Sequence, residues 1–588
     1  MNIDRRALLR TAMLTGAGWS LPGLLPAWAR SGTQGVTLPD MTTLTGEDIA
    51  LTIGRSPFTV GGRTGHAVVV NGTLPAPLIR LRQGQNVRIA VTNTLDEDTS
   101  IHWHGLLVPF QMDGVPGVSF PGIRPGETFV YEFPIRHAGT FWYHSHSNLQ
   151  EQLGHYGPLI LDPAGTDRVE YDREHVVVLS DWSFTHPHTI MAKLKKEEGY
   201  FNYQRQTLGG LIGARGPEEQ MPLKERWMWQ RMRMDPTDIA DVTGAAYTYL
   251  INGHGPGENW TGLFRPTERV RLRFVNASAM TVFNVRIPGL PMTVVNADGN
   301  DVRPVEVDEF QISVAETYDV IVQPTEDRAF TLVAESVDRS GMARGTLAPR
   351  PGMTAAVPPL RPRPTLGMDD MGMADMNMGD AAADDRDTSG MDHAAEPMSM
   401  GDMKMRDESR VPPEVDVGVG VDMIAMHPQD GAGKRGLGLE HAEHRVLVYS
   451  DLVALDPNPD ERPPTRALEI HLTGNMERFM WSFDGRRFSE VVEPIRFARD
   501  ERVRVTLVND TMMQHPIHLH GHFFEIVNGH AGRHPRKHTV NVPPGSTITF
   551  DLTADAPGDW AFHCHLLYHM HAGMFRVVKV RPLDGSAT

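Results

Sequence analysis

A short alternating strand ending in asparagine, preceded by an Asn-Gly or Asp-Gly turn, recurs three times along the chain and limits the fold more than any other feature. The strands are Val87–Asn93, Val270–Asn276 and Val503–Asn509, and the turns ahead of them are Asn71-Gly72, Asn252-Gly253 and Asp484-Gly485. A second alternating segment follows each copy, at Glu127–Phe133, Glu316–Val322 and Ser546–Leu552. Alternation of period two gives each strand one apolar face, and frequent turns fold such strands back on one another. The pattern predicts an antiparallel β-sandwich, three times over. The 56 Gly and 44 Pro among 588 residues suit many short strands rather than long helices. The expected class is therefore all-β, with three Greek-key sandwich domains over 40–165, 170–347 and 440–583.

Copies one and three carry histidines at matching places, and copy two does not. In copy one, His102-Trp103-His104-Gly105 is followed by His144-Ser145-His146; in copy three, His518-Leu519-His520-Gly521 is followed by His563-Cys564-His565. The two blocks are 40 residues apart in the first copy and 43 in the third. On a strand, His-x-His turns both imidazoles to one face. A lone histidine is usually structural, but four such pairs at matched positions predict a cluster of metal ions. The middle domain reads as a spacer that holds the outer two face to face.

Cys564 is the only cysteine, which excludes internal disulfides and Cys-rich zinc modules. A lone cysteine is ordinarily a small buried apolar residue. Here His515, His569 and Met574 stand near it in sequence, and two His, a thiolate and a weak thioether describe a blue-copper electron-transfer site. Its neighbours His563 and His565 belong to the other cluster, so an electron arriving at Cys564 is a few bonds from it.

Two segments stand apart from the domains. Residues 1–29 carry Arg5-Arg6, a weakly apolar stretch and Ala27-Trp28-Ala29, as an export signal of twin-arginine type does, which predicts a periplasmic protein. Residues 348–439 form a linker, and its stretch from Met368 to Met405 holds ten Met, ten acidic and two basic residues. That composition cannot bury a core and is expected to be disordered. Thioethers select Cu(I), so Met371, Met373, Met376, Met378, Met398, Met400, Met403 and Met405 are candidates for collecting it. Met512 and Met513, just before His515, are candidates for docking it, whereas Met228, Met232 and Met234 read more simply as core. The net charge of −17 argues against nucleic acid, and no apolar run reaches the ~20 residues of a membrane span.

Taken in order, H-W-H-G, H-S-H, H-P-x-H-L-H-G and H-C-H-x-x-x-H-x-x-x-x-M resemble the multicopper oxidases. Met112–Pro116, Arg231–Gly244, Thr261–Ser278 and the Met-rich insert resemble the bacterial copper-resistance protein A branch. The resemblance implies three cupredoxin-like domains and four copper ions. It assigns type 1 copper to His515, Cys564, His569 and Met574, and type 2 to His102 and His518. The paired type 3 ions would take His104, His144, His146, His520, His563 and His565. It also implies dioxygen as oxidant, an acid near the cluster at Asp113, and catalysis through Cys564, His563 and His565. Asp113 reads equally as a plain Asp-Gly turn residue. Tyr568 stands where some Cu(I)-oxidising relatives carry Glu, which puts a second proton route in doubt. Three readings remain: an exported Cu(I) oxidase serving copper resistance, a phenol-oxidising laccase, and a copper-sequestering protein without essential turnover. A monomer working beside periplasmic copper-handling proteins is expected. His137, His155, His522, His534, His538 and His571 match no ligand position and read as surface groups or outer neighbours of the ligands.

Overall fold

In a computed structural model of the chain, the described residues are 41–205, 221–372 and 405–582, with Val492 excepted. The expected export signal, and Met373, Met376, Met378, Met398, Met400 and Met403, lie outside them. Two sheets fall within each sequence repeat, six in all among the described residues. The protein is an all-β molecule of cupredoxin-like sandwiches with few helices. No helix among the described residues is long and apolar enough to cross a membrane.

The repeated turns fold as their residues require. Asn71-Gly72, Asn252-Gly253 and Asp484-Gly485 all have positive φ, between 50° and 80°, the backbone of a tight hairpin turn that Asn, Asp and Gly tolerate. Each repeated strand pairs antiparallel with the alternating strand downstream, as expected. With the strand upstream, however, each pairs in parallel: Asn86–Asn93 with Asp48–Val60, Val270–Asn276 with Arg173–Ser183, and Arg502–Asn509 with Arg466–Asn475. The sandwiches are therefore mixed rather than antiparallel. Alternation is the same in both pairings, so only the path of the connection distinguishes them.

The asparagine that ends each strand has a task. Asn93, Asn276 and Asn509 are wholly buried, and each side chain binds backbone groups of the loop that follows. Asn509 Nδ2 donates to the Met513 carbonyl at 2.7 Å, two residues before His515. In copies one and three the loop fixed in this way leads into the histidine strand.

One apolar core fills the first repeat, and a second runs without a break through the second and third. Parts of the expected linker join that second core. Leu366, Met371, Met423 and Ile424 are buried, and Arg361 clamps Glu309 and Glu335 with bonds of 2.6–2.9 Å. Residues 348–372 and 405–439 thus have fixed places. The average composition of the segment hid the apolar residues at its two ends. Those ends meet one stretch of chain: His427 N–H donates to Gly372 at 2.7 Å, and Ile424 N–H to Met405 at 2.8 Å.

Candidate metal centres

Cys564 closes the strand Gly558–Cys564, and in the neighbouring strand His515–Leu519 it lies opposite Ile517. The short helix Leu567–Ala572 then turns the chain so that His569 returns to the cysteine. His515 Nδ1 and His569 Nδ1 lie 3.6 and 3.9 Å from Cys564 Sγ and 3.2 Å from each other. The centre of that triangle is about 2.1 Å from all three atoms, within the range of metal–nitrogen and metal–sulfur bonds. Met574 is fully buried beside them, its N–H donating to the His569 carbonyl and its own carbonyl accepting from Cys564 N–H, both at 3.1 Å. The far nitrogens are held too: His515 Nε2 lies 2.7 Å from Thr511 Oγ1, and His569 Nε2 lies 2.6 Å from Asp241 Oδ2. Trp481 stacks on the His569 ring at 3.8 Å. Burial pushes both imidazoles well below the usual histidine range and the Cys564 thiol up, so the rings are neutral donors and a soft cation would displace the thiol proton.

Strand register assembles the second centre. His102 lies opposite His144 in the first repeat, and His518 opposite His563 in the third, so all four His-x-His pairs converge on one space between the repeats. His102, His518 and His520 form one group with donor atoms within 4.8 Å of one another, and His146, His520 and His563 form another. The ring centroids of His104, His144 and His565 lie 4.9–5.6 Å apart. Burial drives His104, His144, His146, His518, His520 and His565 well below the usual range, and His563 down to about 4, with neighbouring rings adding to the effect. Five rings leave a buried nitrogen without a partner: His102 Nε2, His104 Nδ1, His144 Nε2, His518 Nε2 and His565 Nε2. In the other three, His563 Nε2 lies only 3.1 and 3.3 Å from the Nε2 atoms of His520 and His146. Neutral imidazoles crowded nitrogen to nitrogen, with orphaned lone pairs beside them, fit metal cations and little else.

The outward nitrogens are anchored one by one. His102 Nδ1 donates to the Asp113 carbonyl at 2.7 Å, His518 Nδ1 to the His538 carbonyl at 2.7 Å, and His563 Nδ1 to the Cys564 carbonyl at 2.9 Å. The last bond joins the two centres directly. Asp113 is a turn residue and a cluster neighbour at once. Its Oδ2 accepts from His520 Nδ1 at 2.9 Å, and Gly114 follows it at φ 85°, where a Cβ would lie 1.8 Å from the Ile101 carbonyl oxygen.

Some neighbours of these centres gave no clear signal in the sequence. Glu151, buried, places Oε2 2.7 Å from His144 Nδ1, which donates to the Ser145 carbonyl, and burial pushes its carboxyl well up. His538, fully buried, places Nδ1 3.2 Å from His104 Nε2. His155 and His522 are also buried, while His571 binds the Asn148 carbonyl across the first and third repeats. The middle repeat is more than a spacer, since Asp241 holds a ring of the cysteine centre.

Beside that centre opens a cavity of about 630 Å³ lined by Met232, Met234, Met405, Met423, Met476 and Met512. Asp238 and Asp422 also face it, pushed by burial to about 8 and about 6. Met513 lines a separate small space with Asp241, whereas Met371 is core.

Family models described as multicopper oxidase match residues 52–165, 224–357 and 461–584. The chain is 46% identical to copper resistance protein A of Escherichia coli, covering 99% of both chains. It is 49% identical to a copper resistance protein A homolog of Pseudomonas syringae, covering 98% of both. The laccase of Botrytis aclada shares the fold with a TM-score of 0.58 at 21% identity, over 92% of this chain and 88% of that one.

Proposed function

Because the chain belongs to the multicopper oxidase family, a copper-dependent family of oxidoreductases, we propose that it oxidises Cu(I) one electron at a time and reduces dioxygen to water, as part of copper resistance. The observation that carries the Cu(I) reading is the methionine cavity. Six thioethers make a soft lining that selects Cu(I), and the raised carboxyls of Asp238 and Asp422 gain most from a cation beside them. Met512 lies three residues before His515, and Asp238 three before Asp241, so the cavity borders the cysteine centre through two short loops.

In this reading His515, Cys564, His569 and Met574 would hold type 1 copper, and His102 and His518 would hold type 2. The paired type 3 ions would be held by His104, His144, His146, His520, His563 and His565. Copper bound in these centres supplies one-electron acceptance at the cysteine and the stored electrons that dioxygen needs. Cys564 connects the centres through its peptide bonds to His563 and His565 and through its carbonyl to His563 Nδ1. Asp113 Oδ1, buried and without a hydrogen-bond partner, is placed to hold a proton beside the rings. The leader at residues 1–29 would carry the protein to the periplasm.

Oxygen uptake with Cu(I) and with a phenol tests the proposal on the copper-loaded protein. Replacing Met232 and Met512 with Leu should lower Cu(I) oxidation at least tenfold and leave phenol oxidation nearly unchanged. Cys564→Ser should abolish both. Equal losses on the two substrates in the methionine variant would remove the cavity from the reaction.

A further inference from the structure

In each of the four His-x-His pairs one ring has its Nδ1 within 4.0 Å of a carboxylate oxygen, and both carboxylates come from the first repeat. Asp113 binds His520 Nδ1 through Oδ2 at 2.9 Å, with Oδ1 3.4 Å from His102 Nδ1. Glu151 repeats this arrangement on the other pairs: Oε2 lies 2.7 Å from His144 Nδ1, and Oε1 faces His565 Nδ1 at 4.0 Å. In both residues the oxygen at the longer distance is buried and has no hydrogen-bond partner. Among the described residues these are the two carboxylates within 4 Å of the eight rings. The other four rings are anchored, where an anchor is seen, by carbonyls or neutral side chains.

We infer that Glu151 is a positioning residue for the metal cluster, the counterpart of Asp113 on its opposite flank, joining His144 of the first repeat to His565 of the third. A carboxylate accepting from Nδ1 fixes the tautomer that leaves Nε2 free, and Nε2 is the orphaned atom of both rings. It also strengthens the ring as a donor. His144 Nδ1 donates to the Ser145 carbonyl at 3.1 Å, and Glu151 Oε2 approaches the same nitrogen more closely, at 2.7 Å. Glu151 is held where it can do this by the turn Glu151–Leu153, whose next residue, Gln152, binds Tyr247 and the Asp181 carbonyl of the second repeat. The inference rests on the ligand assignment proposed above.

Glu151→Gln and Glu151→Ala, compared with the unaltered protein, test it by copper content and absorption rather than turnover alone. The unaltered chain should hold four coppers. Both variants should keep the blue type 1 absorption but lose near-ultraviolet absorption from the paired ions. Their copper reloading midpoint at the cluster should rise about tenfold to a hundredfold. Thermal unfolding of the copper-free proteins separates positioning from a structural role, and Glu151→Gln should match the unaltered protein there. If Ala prevents folding, Gln decides alone. Full cluster copper with an unmoved midpoint in Glu151→Gln overturns the inference, and so does loss of type 1 copper in equal measure. An unaltered chain that holds no cluster copper would sink the ligand assignment and this inference with it.

Discussion

Asp241 of the second repeat accepts a 2.6 Å hydrogen bond from Nε2 of His569 in the third, and both groups are buried. The bond fixes the ring and leaves Nδ1 toward Cys564. A carboxylate there raises the donor strength of the imidazole. Asp241→Asn should therefore keep the blue colour when copper is saturating, raise the type 1 reduction potential, and weaken type 1 copper binding about tenfold or more. A redox titration with an unmoved potential would leave Asp241 only a packing role.

Asp113 pairs an anchored oxygen with a free one. Asp113→Asn retains an acceptor for His520 and loses the site that takes up a proton. Copper content should stay at the unaltered level while oxygen consumption falls at least tenfold, within the range of acid–base contributions. Unchanged oxygen consumption would return Asp113 to its part in the turn.

His471, which touches none of the candidate ligands, offers a separate pH dependence. Its Nδ1 lies 2.6 Å from Asp510 and its Nε2 3.0 Å from Glu469. Burial opposes its charge, but the two carboxylates prevail and lift it to about 9. A histidine raised above its unfolded value of about 6.5 gives stability that is complete below that pH and lost as the pH passes about 9. Denaturant unfolding of the copper-free protein between pH 6 and 9.5 should show a loss of at most about 3 kcal/mol that His471→Gln lacks. Parallel curves for the two proteins would refute the pairing.

The sequence carried the centres further than their surroundings. His-x-His on a strand states its geometry outright, and Cys564 with its spaced partners states its chemistry. Glu151, Asp241, Thr511 and His538 could not be read in this way. Each is an ordinary polar residue, and Asp241 and His538 reach their rings from more than 300 residues away. Parallel pairing in each sandwich was hidden because alternation looks alike in either direction. The fixed flanks of the insert were hidden because a few buried apolar residues vanish in the average of a long acidic segment.

Asn276 closes its strand just as Asn93 and Asn509 do, yet no histidine follows it. The loop that leads into the histidine strand in two copies is therefore self-supporting in the third. Scaffold and chemistry are separable in this molecule: the same frame stands with histidine pairs in two copies and without them in the third. The silent copy also marks where a designer could write new donors into a frame that already folds.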